Sequence, residues 1–431
     1  MTGQNPFTTG CYRESMHFVA KPQLVDLPAW FQSSGYLTVG GGKLYHHMPG
    51  FIDMRGWDEF FHWNPEQKLH GWGLFAWDRP APQPAEVPSS PVTKELWRRL
   101  IERNAKSAAG RPLAHMDFAP LPNNLEEKMA DTICANWGAK FLRRSHDRPF
   151  FLGVGFYAPH KPNFVPHKYF DLYKLSEIEL PPWKANDLAD LPPELRAKIE
   201  RRRARDHALI TQMKYGKRTM RGYLAALSYC DAMVGRLLDA LDAGPNADNT
   251  IVVLWSDNGY HHGEKGCWAK HTLWERTSNV PFIWAGPGIA RGEVVEETVS
   301  LLDTYPTLVE LCRLPDNPDV EGVSLAPVLK NPASAVDRTV LQTDDHNIAA
   351  INRQWRYTLY ENGEQELYDQ VNDPNEWYNL AGDPKYAATI EEMRKHIPAK
   401  LAPPAVDRKE LRLVTEGETF RWVPKLPKPN P

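Results

Sequence analysis

The run Ile251-Val-Val-Leu-Trp255 holds no polar residue, and Ser256-Asp257-Asn258-Gly259 follows it at once. A β-rich stretch without alternation carries apolar side chains on both faces, so it must be covered on both sides, as a strand inside a parallel sheet is. Just upstream, Tyr223, Leu224, Leu227, Val234, Leu237, Leu238 and Leu241 recur at helical spacing and stop at Gly244-Pro245-Asn246. That pattern predicts an amphipathic helix. Phe150 to Phe156 and Val280 to Ala285 repeat the buried-strand signature. Helices alternating with buried strands predict an α/β domain, whose ligands sit beyond the carboxyl ends of the strands.

Past residue 330 the pattern changes. A stretch from 313 to 337 rich in Pro, Asp and Asn follows a short helical segment at 303–311, and residues 339–369 then read as short alternating strands with an Asn362-Gly363 hairpin turn. Residues 386–401 read as a helix. The expected organisation is an α/β domain over 1–330, with a mixed, mostly parallel sheet flanked by helices, and a smaller antiparallel sheet with a covering helix over 331–431. The basic run at 196–205 reads as a solvated helix face, and the proline-rich segment after Trp422 as an extended arm.

Composition removes several alternatives. With 51 basic and 54 acidic side chains the net charge is −3, so no overall positive field draws the chain to nucleic acid or anionic lipid. No apolar run is long enough to span a bilayer. The five cysteines form no Cys-x-x-Cys pair, which excludes a zinc ribbon or a thioredoxin-type site, and their odd number leaves at least one free thiol.

Three polar clusters stand where strands end or glycines gather. Asp257 and Asn258 put two oxygen donors after a strand, a pair suited to a hard cation such as Ca²⁺ or Mg²⁺, although a local turn uses the same residues. Lys270-His271 lies close behind them in sequence. Gly40-Gly41-Gly42-Lys43, with His46 and His47 three residues on, fits no nucleotide-loop pattern and reads equally as a flexible surface loop. Ala158-Pro159-His160-Lys161-Pro162 follows the Phe150 strand, with prolines limiting where His160 points. Together the three describe a pocket for a tetrahedral oxyanion held by a cation, two lysines and two histidines.

These residues resemble the sulfatases of the alkaline phosphatase superfamily, the iduronate-2-sulfatase-like branch above all. Met1-Thr-Gly-Gln-Asn-Pro-Phe-Thr-Thr-Gly10 is similar to the family's Leu-Thr-Gly-x-x-Pro-x-x-Thr-Gly, and Gly42 to His46 to its Gly-Lys-x-x-His. The Pro159-His160-Lys161-Pro162 core, the segment from Ile251 to Glu275 and Glu366 to Trp377 follow in the same order. The resemblance implies a sulfuric ester hydrolase acting on a sulfated uronic acid or polysaccharide, in the periplasm or outside the cell. It implies Asp257 and Asn258 as Ca²⁺ ligands, Lys43 and Lys270 on the sulfate oxygens with His271 beside them, His46 removing a hydroxyl proton, and His160 at the sulfate or the leaving alcohol. The branch has His where this chain has Asn258, while the wider family often uses Asn there.

One part of the family pattern is missing. Sulfatases attack with a formylglycine made from Cys or Ser in a Cys/Ser-x-Pro-x-Arg motif and take further metal ligands from an Asp-Asp pair ending a strand. No such motif occurs in the 431 residues, and the Asp344-Asp345 pair lies far too late. The expectation is a start truncated upstream of the first matching segment, leaving apolar surface uncovered beside the missing strand. The alternatives are an inactive relative that binds sulfated saccharides, and a phosphodiester or phosphonate hydrolase with a similar pocket.

Overall fold

The computed structural model describes residues 1–13, 21, 23–45, 55–61, 118–161, 163–205, 207–212, 214–268, 270–407, 410–416 and 419–425. Strands β1 (Leu37–Gly42), β2 (Glu59–Phe61), β3 (Phe118–Leu121), β4 (Phe150–Gly155) and β5 (Asn163–Pro166) make only parallel pairs: β1 lies between β2 and β4, and β3 pairs with β5. Strands β6 (Val252–Trp255) and β7 (Phe282–Ala285) form a separate antiparallel pair.

Period-2 alternation puts helices on both sides of these strands. Phe150, Leu152 and Val252 turn toward α2 (Ala130–Leu142) and α3 (Gly216–Asp242), packing on Ala139, Leu142, Ala240 and Leu241. Phe151, Ile251 and Val253 turn the other way, onto Leu27 and Phe31 of α1 (Leu27–Ser33) and onto Tyr305 and Leu308 of α4 (Thr304–Leu311). Hence the apolar runs carry no alternation. In α2 the buried positions are Asp131, Thr132, Cys134, Ala135, Gly138, Ala139, Phe141 and Leu142, one stripe at helical spacing.

Three expectations are corrected. β6 is antiparallel to its partner and only half-buried, because β7 returns directly beside it and, among the described residues, no ladder joins β6 to β4. Leu227 and Leu238 of α3 are exposed. The contact stripe of that helix is instead built on Ala225, Ala226, Tyr229 and Met233, whose small members let α2 and β5 come close. Gly40 to Gly42 form no surface loop but the end of β1, with Gly41 buried. Gly42 has φ +74, and a Cβ there would stand 2.0 Å from the Gly155 carbonyl oxygen of β4, so only glycine allows the two strand ends to meet.

Beyond residue 339, β8 (Val340–Asp344), β9 (Asn347–Ile351), β10 (Trp355–Leu359) and β11 (Gln365–Asp369) form an antiparallel sheet in sequential order. Gly363, at φ +85, closes the expected Asn362-Gly363 turn. One face, with Ala350, Tyr357 and Leu367, is covered by α5 (Ala387–Arg394) through Ile390 and Met393. The opposite face carries Ala349 and Ile351 onto Leu273, and Tyr368 onto Trp274, Leu195 and Ile199. A hairpin of β12 (Leu411–Glu416) and β13 (Thr419–Pro424) follows. No disulfide joins any of the five cysteines.

Candidate active site

Three strand ends meet. Lys43 follows β1, His160 lies five residues past β4, and Asp257 and Asn258 lie just past β6. Lys43 Nζ donates to Asp257 Oδ2 at 2.8 Å, and Lys270 Nζ donates to Asn258 Oδ1 at 3.0 Å. The Lys43 side chain is 12% exposed and that of Asp257 61%, so the ion pair opens to solvent on its acidic side. An ion pair so exposed contributes at most about 1 kcal/mol to stability. Its importance lies in fixing where the charges stand.

His160 is part-buried, and its Nδ1 stands 2.7 Å from the Lys161 carbonyl oxygen. That acceptor assigns the proton to Nδ1 and makes Nε2 the basic nitrogen. Burial, reinforced by the cations of Lys270 and Lys43, pushes the His160 pKa down to about 4, against the opposing pull of the Lys161 carbonyl and Asp257. His160 is therefore neutral at physiological pH. Desolvation alone would raise the Asp257 carboxyl, but Lys43 and Lys270 outweigh it and hold it below its ordinary range.

The structure thus brings Lys43, His160, Asp257, Asn258 and Lys270 within hydrogen-bond or electrostatic reach of one another. His271 is exposed beside them at φ +64. His46 lies outside the described residues. Sequence reasoning missed Asp131, buried in the first turn of α2 and bonded to the loop that carries His160. It also passed over Lys161, which stands over the rings of Tyr260 at 4.6 Å and Trp268 at 5.8 Å and so ties the His160 loop to the 257–271 loop. Lys161 was legible as part of the Pro-His-Lys-Pro run; a lone carboxylate opening an amphipathic helix left no such signal.

For a divalent cation, Asp257 and Asn258 are oxygen donors of the right type on adjacent residues. A calcium shell takes six to eight oxygens, and among the described residues no group of three or more His, Cys, Asp or Glu is placed to hold a metal. Both oxygens already accept an ammonium group, which shows that the position favours positive charge. These two residues fit part of a hard cation's shell and no more.

Comparison with known proteins gives a consistent picture. A sequence family described as Sulfatase matches residues 1–313, and one described as N-sulphoglucosamine sulphohydrolase, C-terminal, matches residues 263–402. A sulfatase of Formosa agariphila is 33% identical over 416 residues, covering 92% of this chain and 75% of its own length. Human iduronate 2-sulfatase is 28% identical over 354 residues, covering 76% and 58%. Among solved structures, a 2-O GAG sulfatase aligns with TM-score 0.61 at 21% identity over 91% of this chain and 78% of its own. A phosphonate monoester hydrolase from Silicibacter pomeroyi aligns with TM-score 0.70 at 17% identity over 99% and 89%. At such identities the structural matches speak for the fold alone.

Proposed function

Because the chain belongs to the sulfatase family, whose members hydrolyse sulfuric esters, we propose that the pocket at the ends of β1, β4 and β6 binds the sulfate group of a sulfated uronic acid or polysaccharide. The carrying observation is the convergence of two lysine ammonium groups and a neutral imidazole around the Asp257-Asn258 pair. Lys43 and Lys270 supply charged donors for the sulfate oxygens and offset the negative charge of the transferring group. Burial is the main cause of the low His160 pKa and the two cations add to it; a bound anion offsets the cations' share and so favours a proton on Nε2 for exchange with the leaving alcohol.

A calcium ion held in part by Asp257 and Asn258 would add positive charge at the same oxygens. His271, exposed next to Lys270, belongs to this proposal as a substrate contact by resemblance. The role of His46 in removing a hydroxyl proton belongs to this proposal by resemblance, as do the formylglycine and an exported location. Among the described residues no helix is long and apolar enough to cross a membrane.

The test is hydrolysis of a sulfated uronic disaccharide and of the matched phosphate ester by protein purified with the Cys/Ser-x-Pro-x-Arg segment that the resemblance implies restored, with and without chelator, in wild type and Lys270→Ala. Turnover of the sulfate that falls roughly 100-fold in the variant and is lost to chelator supports the proposal. Faster turnover of the phosphate ester overturns it in favour of phosphoryl chemistry. Tight binding without turnover of either supports the second reading, a sulfated-saccharide binding protein.

A further inference from the structure

Asp131 is a buried carboxylate, 6% exposed, in the first turn of α2, where the helix N-terminus favours negative charge. Its two oxygens do not point at the pocket. Oδ1 accepts the Tyr157 amide N–H at 2.9 Å and Oδ2 accepts that of Ala158 at 2.9 Å, clasping the first two residues of the segment that presents His160. The rest of the segment is fixed from within: the His160 amide donates to the Tyr157 carbonyl at 2.7 Å, and Asn163 Nδ2 donates to the Pro159 carbonyl at 2.8 Å. Asp131 is thus a hydrogen-bonded tie from this segment to the helix layer beneath it, beside the apolar packing of Phe156 and Ala158.

We propose that Asp131 is a positioning residue, whose carboxylate holds the Tyr157–Ala158 backbone and so sets where the His160 imidazole stands relative to Lys43 and Lys270. The inference rests on the reading of the pocket as an oxyanion site, but the geometry it concerns is measurable without turnover. The groups facing Asp131 are Lys43 from the end of β1, Cys134 on its own helix, Tyr157 on the tethered segment, and Tyr229 and Cys230 from α3. Lys43 is the cation among them. The carboxylate therefore couples two of the strand ends that build the pocket, holding one by hydrogen bonds and attracting the other by charge. Burial lifts its pKa to about 6 despite the two backbone donors and Lys43, consistent with a group kept for its geometry rather than its comfort.

The experiment uses the full chain with ¹⁵N-labelled histidine, comparing wild type, Asp131→Asn and Thr132→Val. The last removes a buried hydroxyl partner of Tyr229 on the same turn without touching the His160 segment. The ring-nitrogen shifts of His160 report its tautomer and pKa, and titration calorimetry with tungstate reports the pocket's affinity for a tetrahedral anion. In Asp131→Asn the second acceptor oxygen is replaced by an NH₂ donor, so the Oδ1 bond from Tyr157 is lost, and the charge that attracts Lys43 is lost with it; the His160 pKa is expected to rise toward its ordinary value and tungstate affinity to fall about tenfold or more. Thr132→Val is expected to leave both unchanged while lowering stability. Should Asp131→Asn fail to fold, Asp131→Glu keeps the charge but moves it by one methylene, and the same His160 change is expected. A folded variant with unaltered His160 shifts overturns the inference. A wild type that binds no tungstate overturns the oxyanion reading instead, and the ring shifts still decide the role of Asp131.

Discussion

His262 is buried among Tyr223, Tyr260 and Trp268, with the Tyr223 ring 4.1 Å away, and neither of its ring nitrogens has a hydrogen-bond partner among the described residues. Burial, with the Lys161 cation adding to it, pushes its pKa down to about 3. Below about pH 6.5 the unfolded chain binds a proton there that the folded chain refuses, so this residue makes stability fall as pH drops from 6.5 toward 3. Replacing it by Phe keeps the ring packing and removes the penalty. Denaturant unfolding at pH 7.5 and 5.0 is expected to show wild type losing about 2 kcal/mol more than His262→Phe over that interval; equal losses would refute the assignment. At this scale the sequence was informative where chemistry follows a strand end: Lys43, His160, Asp257, Asn258 and Lys270 could all be named from it. It was silent on Asp131 and His262, because their states depend on what packs around them.

The 257–271 loop is held from behind by the C-terminal sheet. Arg356 of β10, 1% exposed, donates to the Leu273 carbonyl at 2.8 Å, bonds the Glu275 carboxylate, and pairs through Nε with Glu376 at 2.9 Å. Lys265, at φ +50 and 3% exposed, pairs with Asp187 at 3.2 Å and lies over the Trp274 and Tyr368 rings. Removing one member of such a network strands the others. Arg356→Met is expected to lower stability by about 3–5 kcal/mol, and Arg356→Met with Glu376→Gln by clearly less than the sum of the two single losses; additive losses in chemical denaturation would show that the pair does not act as a unit. Elements with long periodic patterns were legible in the sequence: α3, the four strands β8 to β11 with their Gly363 turn, and α5 under another length. The direction of β6 was not, since an apolar run says that both faces are covered but not which way its neighbour runs. Which face of α3 is buried was equally hidden, because the large leucines drew attention from the alanines that make the contact.

Across the whole molecule, the family resemblance read from ordered motifs is borne out, as is the α/β architecture with its C-terminal antiparallel sheet. The proposed division at residue 330 has a direct check: limited proteolysis is expected to spare the chain there, because Arg356, Lys265 and Tyr368 bind the two parts into one core. Early cleavage near 330 leaving two stable fragments would show otherwise. Lys43 and Asp257 are 214 positions apart in the chain. A ribosome adding 5–20 residues per second needs roughly 10 to 40 s to cover that distance. Throughout that interval the nascent protein carries Lys43, and later His160, without the carboxylate and amide that complete their surroundings. The proposed anion site is therefore a late product of synthesis: it cannot mature on the leading half of the chain, and any anion it holds meets a molecule whose Asp257 and Lys270 have already emerged.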